Sequence, residues 1–378
     1  MAAKGLQNIV VGTTNLSLVE GEKGQLVVRG YEIQDLARNA TFEQVAYLLW
    51  YGRKPTEAET KSLREQMAAH RALPESTQKI MRDLPHDAEP MDALRTGVSA
   101  IGAAMLRAGA SVIGVATPGT NIEIEHALAL TAQVTTLIST FHRLRQGFEP
   151  IAPRADLDHG SNYLYMMNGQ EPSPEQRRMI NAYLVLLADH GMNASTFTAR
   201  VIASTASDLY SAITGAIGAL KGPLHGGAPS KVLDMLDAVS TPENAEPWIR
   251  GALARKERLM GFGHRMYKTT DPRAEILREI ARENSEPQLF NLAETVENKA
   301  LEILHEAKPE QRIFTNVEFY SAAVMNAVGL PRDVFTATFA ASRMAGWTAH
   351  VLEQAADNRL IRPDVEYTGP MDLQWSTD

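Results

Sequence analysis

Residues 331–354, PRDVFTATFAASRMAGWTAHVLEQ, constrain the fold more than any other stretch of the chain. They read as one long helix that is apolar nearly all round, and between Val334 and Leu352 the one Lys, Arg, Asp or Glu is Arg343. A helix with no polar face has to be enclosed by other elements, so the rest of the chain must supply a shell. An enclosed guanidinium cannot shed its charge and needs an anion, which is either a structural ion pair or a ligand.

The remaining sequence offers helices for that shell. SPEQRRMINAYLVLLADHGMN opens with Ser173 as N-cap, Pro174 at the first helical position and Gln176 to complete a capping box. It then places Met179, Ile180, Tyr183, Leu184 and Leu187 on one face and delivers Asp189 and His190 to a stop at Gly191. TFEQVAYLLWYG carries Thr41 as cap and ends at Gly52. Thr241 with Pro242, and Asp271 with Pro272, repeat the device. SDLYSAITGAIGALKG is rich in Gly, Ala and Ser, which predicts a buried helix that approaches a neighbour closely. Strand character is confined to the first thirty or so residues, where LSLVEGEKGQLVVRG reads as a hairpin turning at Gly21 to Gly24. The expected fold is therefore mostly α-helical with a short N-terminal β-hairpin. Its 378 residues allow two domains, with a hinge near Gly222 in LKGPLHGGAPS.

Composition narrows the chemistry. The chain has no cysteine, so disulfides, thiol nucleophiles and thiolate-bound metals are excluded. A net charge of -8 without basic runs argues against nucleic acid. The start, MAAKGLQNIVVGTTN, lacks a signal peptide pattern, and the apolar stretch at 97–119 is broken by Arg107. The expectation is a cytoplasmic protein with no membrane partner. No phosphate-loop, dinucleotide, zincin or nucleophile-elbow motif occurs.

What remains is histidine and carboxylate. His225 in GPLHGGAPS and His264 in MGFGHRMYK stand beside glycines, which open the backbone to a ligand, and Arg265 and Lys268 add anion affinity. The bland alternatives are a turn histidine and a solvated loop. His190, at a helix end, could simply satisfy the last carbonyls. No two of these three histidines lie at helical metal-ligand spacing, and no metal is expected. Glu318, in TNVEFYSAAVM, sits among apolar side chains where a carboxylate loses hydration.

Taken in order, EGEKGQLVVRGYEIQDLA, ADHGMNASTFTARV, SAITGAIGALKGPLHGGAP, MGFGHRMYKTTDPRAE, NVEFYSA, FAASRMAGWTAHVLEQ and NRLIRP resemble the citrate synthase family. The resemblance runs along nearly the whole chain, residues 100–125 alone having no clear counterpart. It implies a homodimer with a large domain, 1–221 and 327–378, and a small one, 222–326, that closes over the cleft. The implied reaction condenses acetyl-CoA with oxaloacetate and hydrolyses the citryl thioester. 2-Methylcitrate synthesis from propionyl-CoA is an alternative, since one methylene is worth only about 1–3 kcal/mol of discrimination. A non-catalytic relative that binds CoA or a tricarboxylate is another.

By motif position, the resemblance makes His225 the donor to the thioester carbonyl, His264 the group that polarises the oxaloacetate ketone, and Glu318 the general base. It places His190, Asn193, Arg273, Arg343 and Arg362 on oxaloacetate, Arg362 reaching the neighbouring subunit's site. It places Met260, Gly261, Phe262, Gly263, Lys268 and Asn316 on CoA, with no tightly bound cofactor. The family usually has Asp where this chain has Glu318. The extra methylene leaves a compensating backbone shift, a slower reaction or an altered acyl pocket open, and with every other position intact an active enzyme is expected.

Overall fold

The structure, a computed structural model, describes residues 4–6, 9–107, 122–226 and 228–375. Part of the segment without a counterpart, residues 108–121, therefore lies outside the described residues, as does the whole of the apolar stretch beyond Arg107.

The expected hairpin is present as β1 (Ser17–Glu20) and β2 (Gln25–Val28), antiparallel with Ser17 opposite Val28. A short third strand, β3 (Tyr31–Glu32), extends it. Gly24, at φ +63°, turns the hairpin. Gly21 sits so tightly against the 264–270 loop that a Cβ there would lie 2.1 Å from the Met266 carbonyl oxygen. The hairpin tip is thus a support for a remote loop, and Lys268 N–H donates to Gly21 O at 3.0 Å.

Sixteen α-helices follow among the described residues: α1 (Ile33–Asn39), α2 (Phe42–Tyr51), α3 (Glu57–Ala69), α4 (Glu75–Asp83), α5 (Pro90–Arg107), α6 (Ile122–Arg145), α7 (His159–Asn168), α8 (Pro174–Leu187), α9 (Ala194–Ser204), α10 (Leu209–Lys221), α11 (Ala228–Val239), α12 (Ala245–Ala254), α13 (Pro272–Asn284), α14 (Pro287–Ala307), α15 (Val317–Ala327) and α16 (Phe335–Ala356). None is long and apolar enough to cross a membrane. The expected Thr41 cap is present and forms a full capping box with Gln44, Ser173 and Gln176 form the expected box, and Gly52 ends α2 in the left-handed region. Thr241 differs: its hydroxyl makes no capping bond, a 3₁₀ turn at Pro242–Asn244 intervenes, and α12 starts at Ala245. The reason is Pro247, which has no N–H and would clash with the carbonyl four residues back if the helix began at Pro242.

Helix α16 is the enclosed axis that its pattern demands, and α2, α6, α8, α9, α10 and α11 pack around it. Three of its buried hydroxyls are satisfied along the helix: Thr338, Ser342 and Thr348 donate to the carbonyls of Val334, Thr338 and Met344. The small-residue helix α10 lies against α9, α5 and α16, and a Cβ on Gly215 would come within 2.3 Å of Ile202 Cδ1. Beyond Gly222, α11 and α13 pack on α15, α12 packs on α14, and α13 also reaches α1 and α8.

Candidate active site

The site is built where α8 stops. Its last turn runs into Ala188, Asp189 and His190, and Gly191 at φ +58° reverses the chain toward α9. His190 is buried but does not cap the carbonyls of α8. Arg343 Nε and the Gly346 N–H of α16 take the carbonyls of Leu187 and Ala188, at 2.6 and 3.1 Å. The His190 ring is thereby free to face Tyr267, its Nε2 lying 3.1 Å from the hydroxyl. The ring of His264 stands edge-on to it, with centroids 5.4 Å apart.

His264 follows two left-handed glycines, Gly261 at φ +84° and Gly263 at φ +79°. Gly261 has a second reason to be glycine, because a Cβ would lie 2.8 Å from Phe319 Cβ. The His264 Nδ1 accepts from the backbone N–H groups of Met266 and Tyr267 at 3.0 and 3.1 Å. In the neutral ring the proton therefore sits on Nε2, which is left as a donor. His225 is arranged the other way round. Its Nε2 accepts from Ser195 N–H at 3.2 Å and lies 2.8 Å from Ser195 Oγ, so Nδ1 carries the proton.

Electrostatics keeps these rings uncharged. Burial, then Arg343, pushes His225 down to about 4. Burial, then Arg273, does the same to His264, also about 4. Burial with Arg273, His264 and Arg343 holds His190 well below its ordinary value. At neutral pH the site thus presents imidazoles that donate one hydrogen bond each without competing as cations.

Two guanidiniums and one carboxylate complete the cluster. Arg273 is buried in a forked pair with Asp271, at 3.0 Å from Nε and 2.8 Å from Nη2. Arg343 lies over the Phe339 ring and bonds a backbone carbonyl rather than a carboxylate, and burial brings its pKa down to about 10. Glu318 lies in the first turn of α15, whose N-cap Asn316 accepts from the Glu318 N–H at 3.0 Å. Asp271 Oδ2 also accepts from Val317 N–H at 3.3 Å, so one carboxylate fixes both Arg273 and the start of the Glu318 helix. Burial raises Glu318 from 4.5 to about 7, against the opposing pull of Arg273 and Arg258.

The structure gives several expected residues a local role. Asn193 is the N-cap of α9, its Oδ1 accepting from Ser195 Oγ and Thr196 N–H and its Nδ2 donating one N–H to Gly191 O. Asn316 clips the glycine loop to α15: its N–H donates to Gly261 O and its Nδ2 to Gly263 O, each at 2.9 Å. Phe262 is buried against Phe319, Met260 is partly buried, and Lys268 is exposed with Nζ 3.5 Å from Arg265 O. Arg362 stands apart, exposed on the coil after α16. Among the described residues no group of His, Asp and Glu is arranged to hold a metal ion.

Sequence reasoning missed Ser195, Tyr267, Asp271 and Trp347. Ser195 orients His225 and itself receives the Trp347 Nε1–H at 3.1 Å. Asp271 was legible as a helix cap, and its two-residue spacing to Arg273 was the available signal of the ion pair. Tyr183 was assigned to a core face, yet its buried hydroxyl has no partner among the described residues and feels the charges of Glu318 and Arg343.

Comparison with known proteins agrees with this arrangement. A family model described as "Citrate synthase, C-terminal domain" matches residues 5–364. The chain is 44% identical to "Citrate synthase 2" of Bacillus subtilis, over 98% of this chain and 96% of that one. Proteins named 2-methylcitrate synthase match at 36% and 38%. Among solved structures, the citrate synthase of Thermotoga maritima superposes with a TM-score of 0.88 at 39% identity, covering 100% of this chain and 98% of that one. The Thermoplasma acidophilum citrate synthase, in ternary complex with carboxymethyl coenzyme A and oxaloacetate, gives a TM-score of 0.91 at 30% identity with the same coverage. A helical shell around α16, a cluster of neutral imidazoles beside buried arginines, and full-length matches of this kind lead to one assignment: the chain belongs to the citrate synthase family.

Proposed function

We propose that this chain condenses acetyl-CoA with oxaloacetate and hydrolyses the resulting citryl thioester to citrate and CoA, with His225, His264 and Glu318 as the catalytic residues. The observation that carries the reading is Glu318, a carboxylate raised to about 7 in a site whose imidazoles are held neutral. A base of that strength is matched to removing a proton from the acetyl methyl group at neutral pH. The His225 Nδ1–H donates to the thioester carbonyl oxygen and stabilises the charge that develops as the proton leaves. The deprotonated methyl carbon then attacks the oxaloacetate ketone; as the C=O π bond opens, the oxygen takes the His264 Nε2 proton to become the hydroxyl, and the ring is reprotonated from water as Glu318 releases the proton it took. Water cleaves the citryl thioester and CoA leaves as the free thiol.

Arg343, which bonds a carbonyl and not a carboxylate, is available to an oxaloacetate carboxylate, with Arg273 and His190 beside it. Residues 260–263 and Lys268 form the CoA side. The division into a large domain, 1–221 with 327–378, and a small one, 222–326, belongs to the same reading, as does a cytoplasmic homodimer in which Arg362 completes the neighbouring site. The chemistry asks for acid, base and donor groups, with no resident cofactor. The test is product analysis: the protein with both substrates yields citrate, and Glu318→Gln and His264→Asn each lower its formation by at least about 10²-fold. Unchanged citrate formation by Glu318→Gln would remove the base from the scheme. Propionyl-CoA, run in parallel, tests the 2-methylcitrate alternative.

A further inference from the structure

A second buried polar cluster lies directly behind the site. Asp189 is fully buried between His190 and α16. One oxygen, Oδ2, receives the Ser17 hydroxyl of the N-terminal hairpin and the Gly191 N–H, the latter at 3.2 Å. The other, Oδ1, lies 3.2 Å from His350 Nε2 in an ion-pair-range contact, and neither of these two atoms makes a well-aligned hydrogen bond among the described residues. His350 Nδ1 accepts from Arg200 Nε at 3.2 Å. Since a guanidinium can only donate, that bond leaves the neutral ring's proton on Nε2, the ring nitrogen beside Asp189. Arg200 is itself paired with Glu353 and lies 3.4 Å from Gln354 Oε1, and Glu353 accepts from Asn15 N–H at 2.8 Å.

The geometry on α16 gives this cluster its meaning. Arg343, Gly346 and His350 are spaced three and four residues apart and share one helical stripe. Arg343 takes the Leu187 carbonyl, Gly346 takes the Ala188 carbonyl, and His350 meets Asp189. Three successive residues leading to His190 are thus pinned to three positions of the helix that carries Arg343. The approach is close enough that a Cβ on Gly346 would lie 2.3 Å from Ala188 O and 2.6 Å from Asp189 Oδ1. Burial alone would raise the Asp189 pKa, but His350, Arg343 and Ser17 overcome it and hold the group below its ordinary value. Asp189 is therefore an anion under Arg343 before any substrate arrives.

We infer that Asp189 and His350 are positioning residues for the oxaloacetate pocket: His350, its tautomer set by Arg200, holds Asp189 so that His190 and Arg343 keep the spacing that grips a dicarboxylate. The inference rests on the proposed reading of His190 and Arg343 as oxaloacetate ligands. Loss of a buried charge-assisted contact of this kind corresponds to about ten- to hundred-fold in affinity.

The test compares Asp189→Asn, His350→Leu and His350→Gln with wild type, measuring KM for oxaloacetate, KM for acetyl-CoA, kcat, and oxaloacetate binding by calorimetry. A glutamine amide can still donate toward Asp189, whereas leucine cannot. The expected result is a rise of about ten-fold or more in KM and Kd for oxaloacetate in Asp189→Asn and His350→Leu, with kcat and the acetyl-CoA KM within about three-fold, and substantial recovery in His350→Gln. Arg343→Ala is the control for the underlying reading. If Arg343→Ala loses oxaloacetate binding while Asp189→Asn and His350→Leu bind it as wild type does, the positioning role is refuted and the reading stands. If Arg343→Ala binds oxaloacetate normally, the reading itself falls and the inference with it. A loss equal in every parameter for His350→Leu and His350→Gln would mark the cluster as structural only and also overturn the inference.

Discussion

Replacing Glu318 by Gln separates what the carboxylate does for catalysis from what it does to stability. Glu318 is raised from 4.5 to about 7 in the folded chain, chiefly by burial. Below 4.5 both the folded and unfolded chains carry the neutral acid and the group costs nothing. As pH rises from 4.5, the unfolded chain ionises first while the folded chain resists until about 7, so the folded state loses stability across that window and the loss is complete above it. A shift of that size corresponds to about 3 kcal/mol, a ceiling because Glu318 keeps partial contact with solvent. Glu318→Gln cannot ionise and is free of the penalty. The stability difference between variant and wild type should therefore grow in the variant's favour by about 2–3 kcal/mol between pH 4.5 and pH 8. Urea denaturation at both pH values measures it, and the contributions of other titrating groups cancel in the comparison. The same ionisation sets activity: kcat/KM should fall below about pH 7 as the base is protonated. A stability difference that is the same at both pH values would refute the claim that burial has raised this carboxylate.

Other outcomes follow from the geometry. His225→Ala removes the Nδ1–H donor and should lower kcat by about 10²–10³-fold with little change in oxaloacetate KM, as steady-state kinetics would show. Gly261→Ala forces a side chain into φ +84° and against Phe319, and should destabilise the protein by about 1–3 kcal/mol in urea denaturation. Gly21→Ala places a Cβ 2.1 Å from Met266 O and must move the loop that carries His264. A displacement near 1 Å costs up to about 10²-fold in kcat, so this remote hairpin variant should be slow while remaining folded by circular dichroism.

Local signals proved readable where one short segment decides the structure. The cap at Thr41, the capping box at Ser173, the Gly52 stop and the enclosed α16 are all settled by residues within a few positions of one another. Thr241 failed as a cap because Pro247, further along, moves the helix start. The third strand was missed because two residues, Tyr31 and Glu32, are too few for an alternating pattern. The site histidines stood out through their glycines, but the atom each presents depends on backbone N–H groups of Ser195, Met266 and Tyr267 that spacing alone does not reveal. The Asp189 to His350 contact joins residues far apart in the chain, and neither carries a local mark of the other.

The most direct measurement of the account is release of free thiol from acetyl-CoA and from propionyl-CoA, each with and without oxaloacetate, by the wild-type protein. The account predicts release that requires oxaloacetate, with kcat/KM higher for acetyl-CoA. No oxaloacetate-dependent release from either thioester would contradict it, and a kcat/KM higher for propionyl-CoA would reassign the chain to 2-methylcitrate synthesis.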